Sequence, residues 1–301
     1  MERTAVTTNK NFKVAIASGK GGTGKSFFSV NLFYTLLKMG EKAELIDCDA
    51  EEPNSALFFD LKERGSQEVT QLVPVIDHRL CTYCGECAEW CSYNAIVVVK
   101  DKKVATVMEE MCHGCGACSV ACKFGAISEK VATLGKVTNF EERQSGAKLV
   151  EGRVLVGVYT PVPVLKRAIL EAGAPITILD SPPGTSCPFI HTVNSADFTL
   201  LITEPTPFGL NDLKLSVEIL EGMGKKFAVI INRGGIGDSR VESYLKERGI
   251  ELLEVIPFSR EVAKEYSLGN MVVEQIPSVA TIFETIAQKV IEKKGEYNNE
   301  N

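Results

Sequence analysis

GKGGTGKS, residues 19–26, is the stretch that decides the fold of this 301-residue chain. It fits the pattern G-x₄-G-K-[ST] and lies between an apolar run, Phe12–Ala17, and a helical pattern over Lys25–Met39 that ends at Gly40. A glycine-rich turn between a strand and a helix is the setting in which this pattern binds nucleotide phosphates. The stretch therefore predicts a P-loop that binds ATP or ADP.

The residues of this loop have predicted roles around the phosphate groups. Glycines allow successive backbone amides to wrap the phosphates without clashes from Cβ atoms. Lys25 is expected to neutralise the β- and γ-phosphates, and Ser26 to place its hydroxyl on Mg²⁺. The nucleotide-binding residues predicted in the loop are Gly19, Gly21, Gly22, Thr23, Gly24, Lys25 and Ser26.

Strand and helix patterns alternate through most of the chain. A second strand, Ala43–Ile46, follows the first helix and precedes a cysteine-rich stretch. The later predicted strands are Val154–Val158, Ile176–Leu179, Phe198–Ile202, Phe227–Ile231 and Leu252–Ile256, and the later predicted helices include Val162–Glu171 and Leu210–Leu220. This alternation predicts an α/β fold with a doubly wound, mostly parallel sheet.

Eight of the ten cysteines form an internal repeat. Two copies of C-x₂-C-x₂-C-x₃-C occur, and residue n of the first copy matches residue n + 31 of the second, so that Gly85 matches Gly116. In two-cluster ferredoxins with this spacing, the fourth cysteine of each copy ligates the other cluster. We therefore predict two [4Fe–4S] clusters with these ligands: Cys81, Cys84, Cys87 and Cys122 for the first, and Cys112, Cys115, Cys118 and Cys91 for the second.

Two structural zinc sites are the alternative, since they would also use eight thiolates. Zinc ribbons usually pair C-x₂-C halves across a longer spacer, so two complete copies of the cluster pattern favour iron–sulfur. The residue after the fourth cysteine is usually Pro in ferredoxins, and here Ser92 and Lys123 stand there. That departure removes no ligand.

The cysteine block is interpreted as an insertion into the α/β domain. Two Val-rich runs between the cysteine copies, Ile96–Val99 and Val104–Val107, predict a β-hairpin. The predicted organisation is a P-loop ATPase domain over residues 1–76 and 131–301, with a ferredoxin-like α+β domain inserted at 77–130.

Composition and charge restrict the classes of partner. The chain is 45% hydrophobic and 24% charged, with a net charge of −6 and no basic stripe that indicates nucleic acid. No apolar run approaches the ~20 residues that cross a bilayer. Cysteines without an export signal are typical of a reducing compartment. We expect a cytoplasmic protein with no nucleic-acid partner and no stable membrane insertion, and we expect its C-terminal apolar stripe, from Ile282 to Ile291, to pack against the sheet.

Lys20 makes the loop more specific than a general P-loop. The sequence K-G-G-T-G-K-S resembles the deviant Walker A motif of the MinD/ParA/Mrp family, which includes the nitrogenase iron protein. The resemblance implies that Lys20 reaches the nucleotide bound by a partner subunit. It thus implies a homodimer, or a heterodimer with a related ATPase, that closes around ATP. With the insert included, the match is to family members that carry a ferredoxin domain.

The resemblance also assigns roles to residues at the ends of strands. The stretch Asp180–Gly184 resembles Walker B and switch II, with Asp180 acting on Mg²⁺ through water. The stretch Asp47–Asn54 resembles switch I, with Asp49 positioning or activating the attacking water. Asn232 and Pro257 resemble the residues that read and cover the purine base. The predicted catalytic residues are Lys20, Lys25, Asp49 and Asp180.

Two cysteines lie outside the repeat. Cys187 follows Asp180 in the predicted switch II loop, near the place of a cluster ligand in the nitrogenase iron protein. A small, semi-buried structural residue is the favoured interpretation, with coupling of the switch to the clusters as a hypothesis. Cys48 is expected to point into the sheet.

The predicted function is Mg²⁺-dependent ATP hydrolysis coupled to electron transfer through two [4Fe–4S] clusters, toward an unknown redox or client protein. The insert follows switch I, the segment expected to respond to the γ-phosphate. The alternative is an ATP-dependent assembly or carrier factor for an iron–sulfur cluster or metallocentre, as Mrp-type relatives are. A third possibility is a MinD-like spatial regulator, which the lack of a basic surface or membrane helix disfavours.

Overall fold

The structure, a computed structural model, describes residues 11–300 of the chain. These residues form two compact units. The larger unit comprises residues 11–66, 137–153 and 165–300. The second, which we call the cysteine unit, comprises residues 67–136 and 154–164, and the predicted insert at 77–130 lies inside it.

The described residues contain strands and helices in alternation. The strands are β1 (Phe12–Ala17), β2 (Ala43–Asp47), β3 (Leu61–Ile76), β4 (Ile96–Val99), β5 (Val104–Val107), β6 (Ile127–Glu142), β7 (Lys148–Val154), β8 (Ile176–Asp180), β9 (Phe198–Thr203), β10 (Phe227–Gly234) and β11 (Leu252–Pro257). The helices are α1 (Lys25–Lys38), α2 (Glu86–Glu89), α3 (Ala117–Ala121), α4 (Val162–Ile169), α5 (Cys187–Ser195), α6 (Pro207–Gly222), α7 (Arg240–Arg248), α8 (Arg260–Ser267), α9 (Val272–Gln275) and α10 (Pro277–Glu300).

Nine strands form one sheet in the order β11-β10-β9-β1-β8-β2-β7-β6-β3. The central strand β1 pairs in parallel with β8 and β9, and β2 pairs in parallel with β7 and β8. The prediction of an α/β fold with a mostly parallel sheet is therefore confirmed. The register pairs Asp180 with Ile16 on one side and with Asp47 on the other. Since the strands are parallel, their carboxyl ends meet at one edge.

The core of the larger unit lies between this sheet and the helices beside it. The central strands have buried apolar residues at successive positions, as expected for a sheet that is covered on both faces. Phe27 and Phe28 of α1 contact Phe283 of α10, with ring centroids 5.7 Å and 5.0 Å apart. Ile286 and Val290 of the same apolar stripe are also buried, so α10 packs onto the core.

Several predicted elements need correction. The apolar run Val154–Val158 is not a strand: β7 ends at Val154, and a turn with Gly157 at a φ of 90° follows. The long strands β3 and β6 were not predicted, because most side chains of β3 are exposed and give no apolar alternation. Helix α5 was also missed, in a stretch interpreted as a loop.

The cysteine unit contains the predicted hairpin at its predicted bounds. Strands β4 and β5 are antiparallel, with Ile96 opposite Val107 and Val99 opposite Val104. Two short helices, α2 and α3, each begin after a glycine with positive φ, at the matched positions Gly85 and Gly116.

Within residues 11–300, no helix combines the length and the apolar character that crossing a membrane requires.

Candidate functional site

The P-loop joins the end of β1 to the start of α1, and its glycines adopt conformations that other residues rarely reach. Gly22 and Gly24 have φ values of 76° and 97°. A Cβ atom at Gly24 would lie 2.5 Å from Nδ2 of Asn232, so that position has no room for a side chain. Such a backbone, followed by a helix N-terminus, is suited to bind an anionic phosphate.

Lys25 is the first residue of α1 and is only 7% exposed. Its Nζ lies 3.2 Å from Oγ of Ser18 and 3.5 Å from the carbonyl oxygen of Lys20. Burial lowers the pKa of Lys25, whereas the carboxylates of Asp180 and Asp49 raise it. A cation enclosed by the loop and flanked by two carboxylates has the position needed to bind phosphate oxygens.

Asp180 is buried at the end of β8. Its carboxylate oxygens accept hydrogen bonds from the hydroxyls of Ser29 at 2.9 Å and Ser55 at 3.1 Å. Burial raises the pKa of Asp180, while a hydrogen bond from Ser26 and the charge of Lys25 lower it. Ser26 and Asp180 thus place a hydroxyl and a carboxylate side by side, which are oxygen ligands of the kind that Mg²⁺ binds.

Asp47 organises the segment that follows β2. Its carboxylate accepts hydrogen bonds from the backbone N–H groups of Asp49 at 3.1 Å, Asn54 at 3.1 Å and Ser55 at 3.0 Å. Burial, and then the charge of Asp180, raise the pKa of Asp47 to about 8. The switch I-like segment is therefore tied to β2 and, through the Ser55 hydroxyl, to Asp180.

Asp49 is half-buried and faces the same cavity as Lys25. Burial and the charge of Asp180 raise the pKa of Asp49 to about 6, against the lowering effect of Lys25. This carboxylate is mostly ionised at neutral pH, yet it is a stronger base than an ordinary aspartate. Both properties suit a group that orients or deprotonates water.

Lys20 forms an ion pair within its own subunit. Its Nζ lies 3.2 Å from Oε2 of Glu204, a side chain that is only 8% exposed. Arg233 pairs with the other oxygen of Glu204 and also donates to the carbonyl oxygen of Gly22 at 3.1 Å. Glu204 therefore holds two cations beside the P-loop.

Asn232 contacts the P-loop from the end of β10. Its Nδ2 donates to the carbonyl oxygen of Thr23 at 2.7 Å, and its Oδ1 accepts from the backbone N–H of Arg233. The hydroxyl of Thr23 is buried and has no hydrogen-bond partner among the described residues. Asn232, predicted to read the purine base, thus donates its side-chain amide to the P-loop in this structure.

A cavity of about 460 Å³ is lined by several of these groups. Its lining includes the polar side chains of Lys25, Ser26, Asp49 and Asn232 and the aromatic side chains of Phe258 and Tyr266. The remaining lining includes Gly21, Gly22, Gly24, Phe27, Glu52, Asn54, Pro183, Arg233, Pro257, Ser259, Val262 and Ala263. A lining that combines P-loop residues with aromatic side chains is suited to a nucleotide, and the volume lies in the range of small-molecule sites.

Within the cysteine unit, two smaller cavities are each lined by four cysteines. The first cavity is lined by Cys81, Cys84, Cys87 and Cys122. The second cavity is lined by Cys91, Cys112, Cys115 and Cys118. Each set takes three cysteines from one copy of the repeat and one from the other, which is the exchange described for two-cluster ferredoxins.

The thiol groups of each set lie close to one another. Burial raises the pKa of Cys87, and the neighbouring sulfurs of Cys81, Cys122 and Cys84 raise it further. The Ala126 amide donates to Sγ of Cys122 at 3.3 Å.

In the second set, the matched amide of Ala95 donates to Sγ of Cys91, also at 3.3 Å.

Among residues 11–300, no three His, Cys, Asp or Glu side chains form a group that would hold a single metal ion. In a [4Fe–4S] cluster the four thiolates bind four different iron atoms and surround a cage. Four thiols around each cavity are the donor set for such a cluster.

The two cysteines outside the repeat lie in the larger unit. Cys48 is fully buried, and burial raises the pKa of its thiol well above the usual range. Cys187 is exposed and is the first residue of α5, so the expectation of a semi-buried residue within a loop was wrong.

The residues that sequence reasoning did not assign are mainly hydrogen-bond partners. Asp47, Ser29, Ser55 and Glu204 hold the predicted residues in place, and Tyr266 lines the cavity. Asp47 and Glu204 could have been identified as candidate site residues from the sequence, because each is an acidic residue at the end of an apolar strand. No local pattern marks the serines.

Residues 14–272 match the family model of the CobQ/CobB/MinD/ParA nucleotide binding domain. An uncharacterized protein from Methanocaldococcus jannaschii is 31% identical over 262 residues, which cover 85% of this chain and 90% of that protein. The iron-sulfur cluster carrier protein of Pyrococcus furiosus is 22% identical over 302 residues, covering 94% of this chain and 86% of the relative.

Among solved structures, the septum site-determining protein MinD from Pyrococcus horikoshii, complexed with Mg-ADP, has a TM-score of 0.59 and 18% identity. The alignment covers 93% of this chain and 96% of that one, and at this identity it shows a shared fold. Because the family model spans most of the chain, the predicted relationship to the MinD/ParA group is confirmed, and the protein belongs to the CobQ/CobB/MinD/ParA nucleotide-binding domain family.

Proposed function

We propose that this protein binds and hydrolyses ATP, and that its nucleotide state controls electron transfer through two [4Fe–4S] clusters in the cysteine unit. The observation that carries the proposal is the path of the chain between the two sites. Asp47 and Asp180 hold Ser55, a short 3₁₀ helix runs over Ser55–Phe58, and β3 then continues into the cysteine unit.

The ATP part of the proposal rests on the polar half of the 460 Å³ cavity. Lys25 would bind the terminal phosphates, Ser26 would hold Mg²⁺ directly and Asp180 through water, and the bound Mg²⁺ would supply positive charge to the phosphates. Asp49 orients water for attack on the γ-phosphate. Phosphoryl transfer of this kind depends on positioning and charge stabilisation, which these four side chains provide.

The redox part rests on the two cavities with four cysteines each. Four thiolates saturate a [4Fe–4S] cluster, so that both clusters are held permanently. Iron–sulfur clusters supply one-electron redox chemistry when bound. The chain's own contribution is the thiolates, the amides that donate to their sulfurs, and the surrounding charges.

Coupling follows from the hydrogen bonds of Asp180. The carboxylate of Asp180 accepts from the Ser55 hydroxyl and would also interact with Mg²⁺ through water when Mg–ATP is bound. That would weaken the hold of Asp180 on the segment that leads into β3, while Asp47 keeps its hydrogen bonds to the backbone N–H groups of Asn54 and Ser55. The order or position of that segment then changes with the γ-phosphate, as in other nucleotide switches.

The proposal is tested by anaerobic purification, iron analysis and EPR-monitored redox titration, with and without a nonhydrolysable ATP analogue. We expect two [4Fe–4S] signals per chain, with a change in potential or electron-transfer rate when the analogue binds. A chain with two clusters whose potentials and rates do not respond to nucleotide would rule out the coupling.

The homologous iron-sulfur cluster carrier protein favours a second function, ATP-dependent delivery of a cluster to a client. Cys84 and Cys115, one in each set, are exposed and accessible to an acceptor. Incubation with an apo-ferredoxin distinguishes the two functions, because a carrier loses its own iron–sulfur absorbance as the acceptor gains it. An electron carrier keeps its clusters throughout.

We also propose an ATP-dependent dimer of two such subunits, or of one with a related ATPase. In it, Lys20 leaves Glu204 and contacts the nucleotide of the other subunit. The Lys20–Glu204 ion pair is the arrangement of the separate subunit.

A further inference from the structure

The two cysteine cavities are related by the internal repeat, but they carry opposite charges at matched positions. At Gly85, beside the first cavity, a Cβ atom would lie 3.5 Å from the Nζ of Lys100. At the matched Gly116, beside the second cavity, a Cβ atom would lie 3.7 Å from Oε1 of Glu129. The same glycine of each copy thus faces a cation in one case and a carboxylate in the other.

The repeat shows that neither charge has a counterpart in the other copy. Glu129 matches Val98, and both residues line their own cavities. Lys100 matches Val131, an exposed apolar residue. The two sites therefore differ in charge at positions that the repeat allows to be compared directly.

Two further charged residues, Lys123 and Glu86, lie beside ligands of the first set in the sequence. Lys123 follows Cys122 of the first set, where the matched residue of the other copy is the neutral Ser92. Glu86 lines the first cavity and carries a charge opposite to that of Lys123. The first site retains an excess of positive charge, and the second has a carboxylate in its wall.

Hydrogen bonds from the Gly114 amide and from the Ser119 side chain, whose matched residue is Ala88, act in the opposite direction. The Gly114 amide donates to Sγ of Cys112 in the second set at 3.4 Å, which favours added negative charge there. An amide carries only a partial charge, whereas Lys100 and Glu129 each carry a full one. The full charges dominate the difference between the sites.

We propose that Lys100 and Glu129 set the order of the two reduction potentials, with the first site higher than the second. Reduction adds one negative charge to a site, which a nearby ammonium group favours and a nearby carboxylate opposes. One electron then leaves the second site and enters the first, and no atom or proton needs to move. The inference rests on the proposed presence of both clusters, and it gives the cysteine unit a direction: electrons enter at the second site and leave from the first.

Neither side chain has its charge cancelled by an ion pair within the described residues. Glu129 accepts a hydrogen bond from the hydroxyl of Ser119 at 3.3 Å, which leaves its charge in place. Both side chains are exposed, so solvent weakens their effect. We expect each to change the equilibrium constant for electron transfer between the sites by roughly tenfold, or ~59 mV for a one-electron couple.

The experiment compares EPR-monitored redox titrations of the full chain, purified anaerobically, with those of Lys100→Gln and Glu129→Gln. Gln keeps the length of Glu and an oxygen that accepts from Ser119. Matched controls are Lys102→Gln, on the same hairpin turn, and Glu110→Gln, outside the cavity walls. Iron content is measured for every variant.

We expect Lys100→Gln to lower the higher potential and Glu129→Gln to raise the lower one, so that either change narrows the gap while the controls do not. An unchanged gap in both variants with full iron content would overturn this inference alone. The inference would also be overturned if Lys100→Gln shifted the lower of the two potentials and left the higher one unchanged. A chain that binds no clusters would overturn the proposed function as well, and iron analysis separates the two cases.

Discussion

Lys20 and Lys25 belong to the same loop but have different environments. Lys25 is buried against Ser18 within the loop, while the side chain of Lys20 is 31% exposed and paired with Glu204. The burial of Lys25 suits its proposed role at the phosphates of its own subunit. The exposure of Lys20 suits its proposed move from Glu204 to the nucleotide of a partner subunit.

Asp49 leads to a prediction at the scale of one residue. Its pKa is raised to about 6, so the carboxylate is ionised above that pH and protonated below it. Only the ionised form can accept a proton from water, and we expect kcat/KM for ATP hydrolysis to fall as the pH drops from 7 to 5. The free protein's ionisations appear in the pH profile of kcat/KM.

The matched variant for this prediction is Asp49→Asn. We expect it to bind ATP with little change and to lose hydrolysis at every pH. ATP affinity by calorimetry and phosphate release across the pH range measure the two effects. If kcat/KM of the unmodified protein did not change between pH 5 and 7, ionisation of Asp49 would not be required for hydrolysis.

The residues proposed to act on ATP were easier to identify from the sequence than the residues that contact and hold them. Lys25, Ser26 and Asp180 lie in motifs whose spacing is local, so their neighbourhood was readable from the chain. Ser29 and Ser55 meet at Asp180 only because α1, β8 and the segment after β2 pack together. Such contacts depend on tertiary structure and leave no periodic signal.

At the scale of elements, the P-loop and α1 depend on one backbone conformation. Gly24 has a φ of 97°, and a side chain there would meet Asn232. We expect Gly24→Ala to cost about 1–3 kcal/mol of unfolding free energy and to weaken ATP binding. Urea unfolding and ATP titration measure the two effects.

The control for this prediction is Gly222→Ala at the end of α6, where a Cβ atom meets nothing within 4 Å. Alanine there should leave stability unchanged or slightly raised, because it reduces the freedom of the unfolded chain. If Gly24→Ala and Gly222→Ala lowered the free energy of unfolding and the ATP affinity equally, Gly24 would have no special role.

The crossed cysteine sets give a second prediction at the scale of elements. Cys122 belongs to the second copy of the repeat but lines the cavity of the first set. We expect Cys122→Ala to lose the same EPR signal as Cys81→Ala, and Cys91→Ala to lose the same signal as Cys112→Ala. Iron content should fall toward roughly half in each variant.

Cys187→Ser is the matched control, because Cys187 is exposed in the larger unit and outside both sets. It should retain full iron content and both signals. If Cys122→Ala and Cys112→Ala removed the same signal, the ligands would not be exchanged between the copies.

Elements with strong apolar patterns were predictable, and those with polar surfaces were not. Strand β1 and the hairpin of β4 and β5 have their predicted bounds, since each is a short apolar run between turn residues. Strand β3 has a mostly exposed surface, and its long extent comes from pairing within the sheet. The run after Val154 is apolar but exposed, which composition alone does not distinguish from a buried strand.

At the scale of the whole molecule, the ion pair of Lys20 predicts how subunits associate. We expect the Asp49→Asn variant to form a dimer with ATP, and the Lys20→Ala, Asp49→Asn double variant to bind ATP but remain monomeric. Light scattering after size-exclusion chromatography measures the mass. Lys42→Ala, an exposed lysine outside the loop, is the matched control in the same background.

A dimer that forms equally well without Lys20 would contradict this prediction. If the Asp49→Asn variant and the double variant both bind ATP and both remain monomeric, the partner subunit is a different chain. In that case, mixing with a related ATPase should restore the association.

The pairing of β1 also has a consequence for biosynthesis. Both neighbours of β1 lie far along the chain, since Phe12 pairs with Ile176 and Val14 with Phe198. At about 5–20 residues per second, a ribosome needs roughly 8–30 s between the end of β1 and the end of β8. All residues of the cysteine unit are made in that interval. If the proposed clusters are loaded, the nascent chain thus offers its eight ligand thiols before the P-loop sheet can close, and we expect the yield of cluster-loaded protein to depend on iron supply during translation.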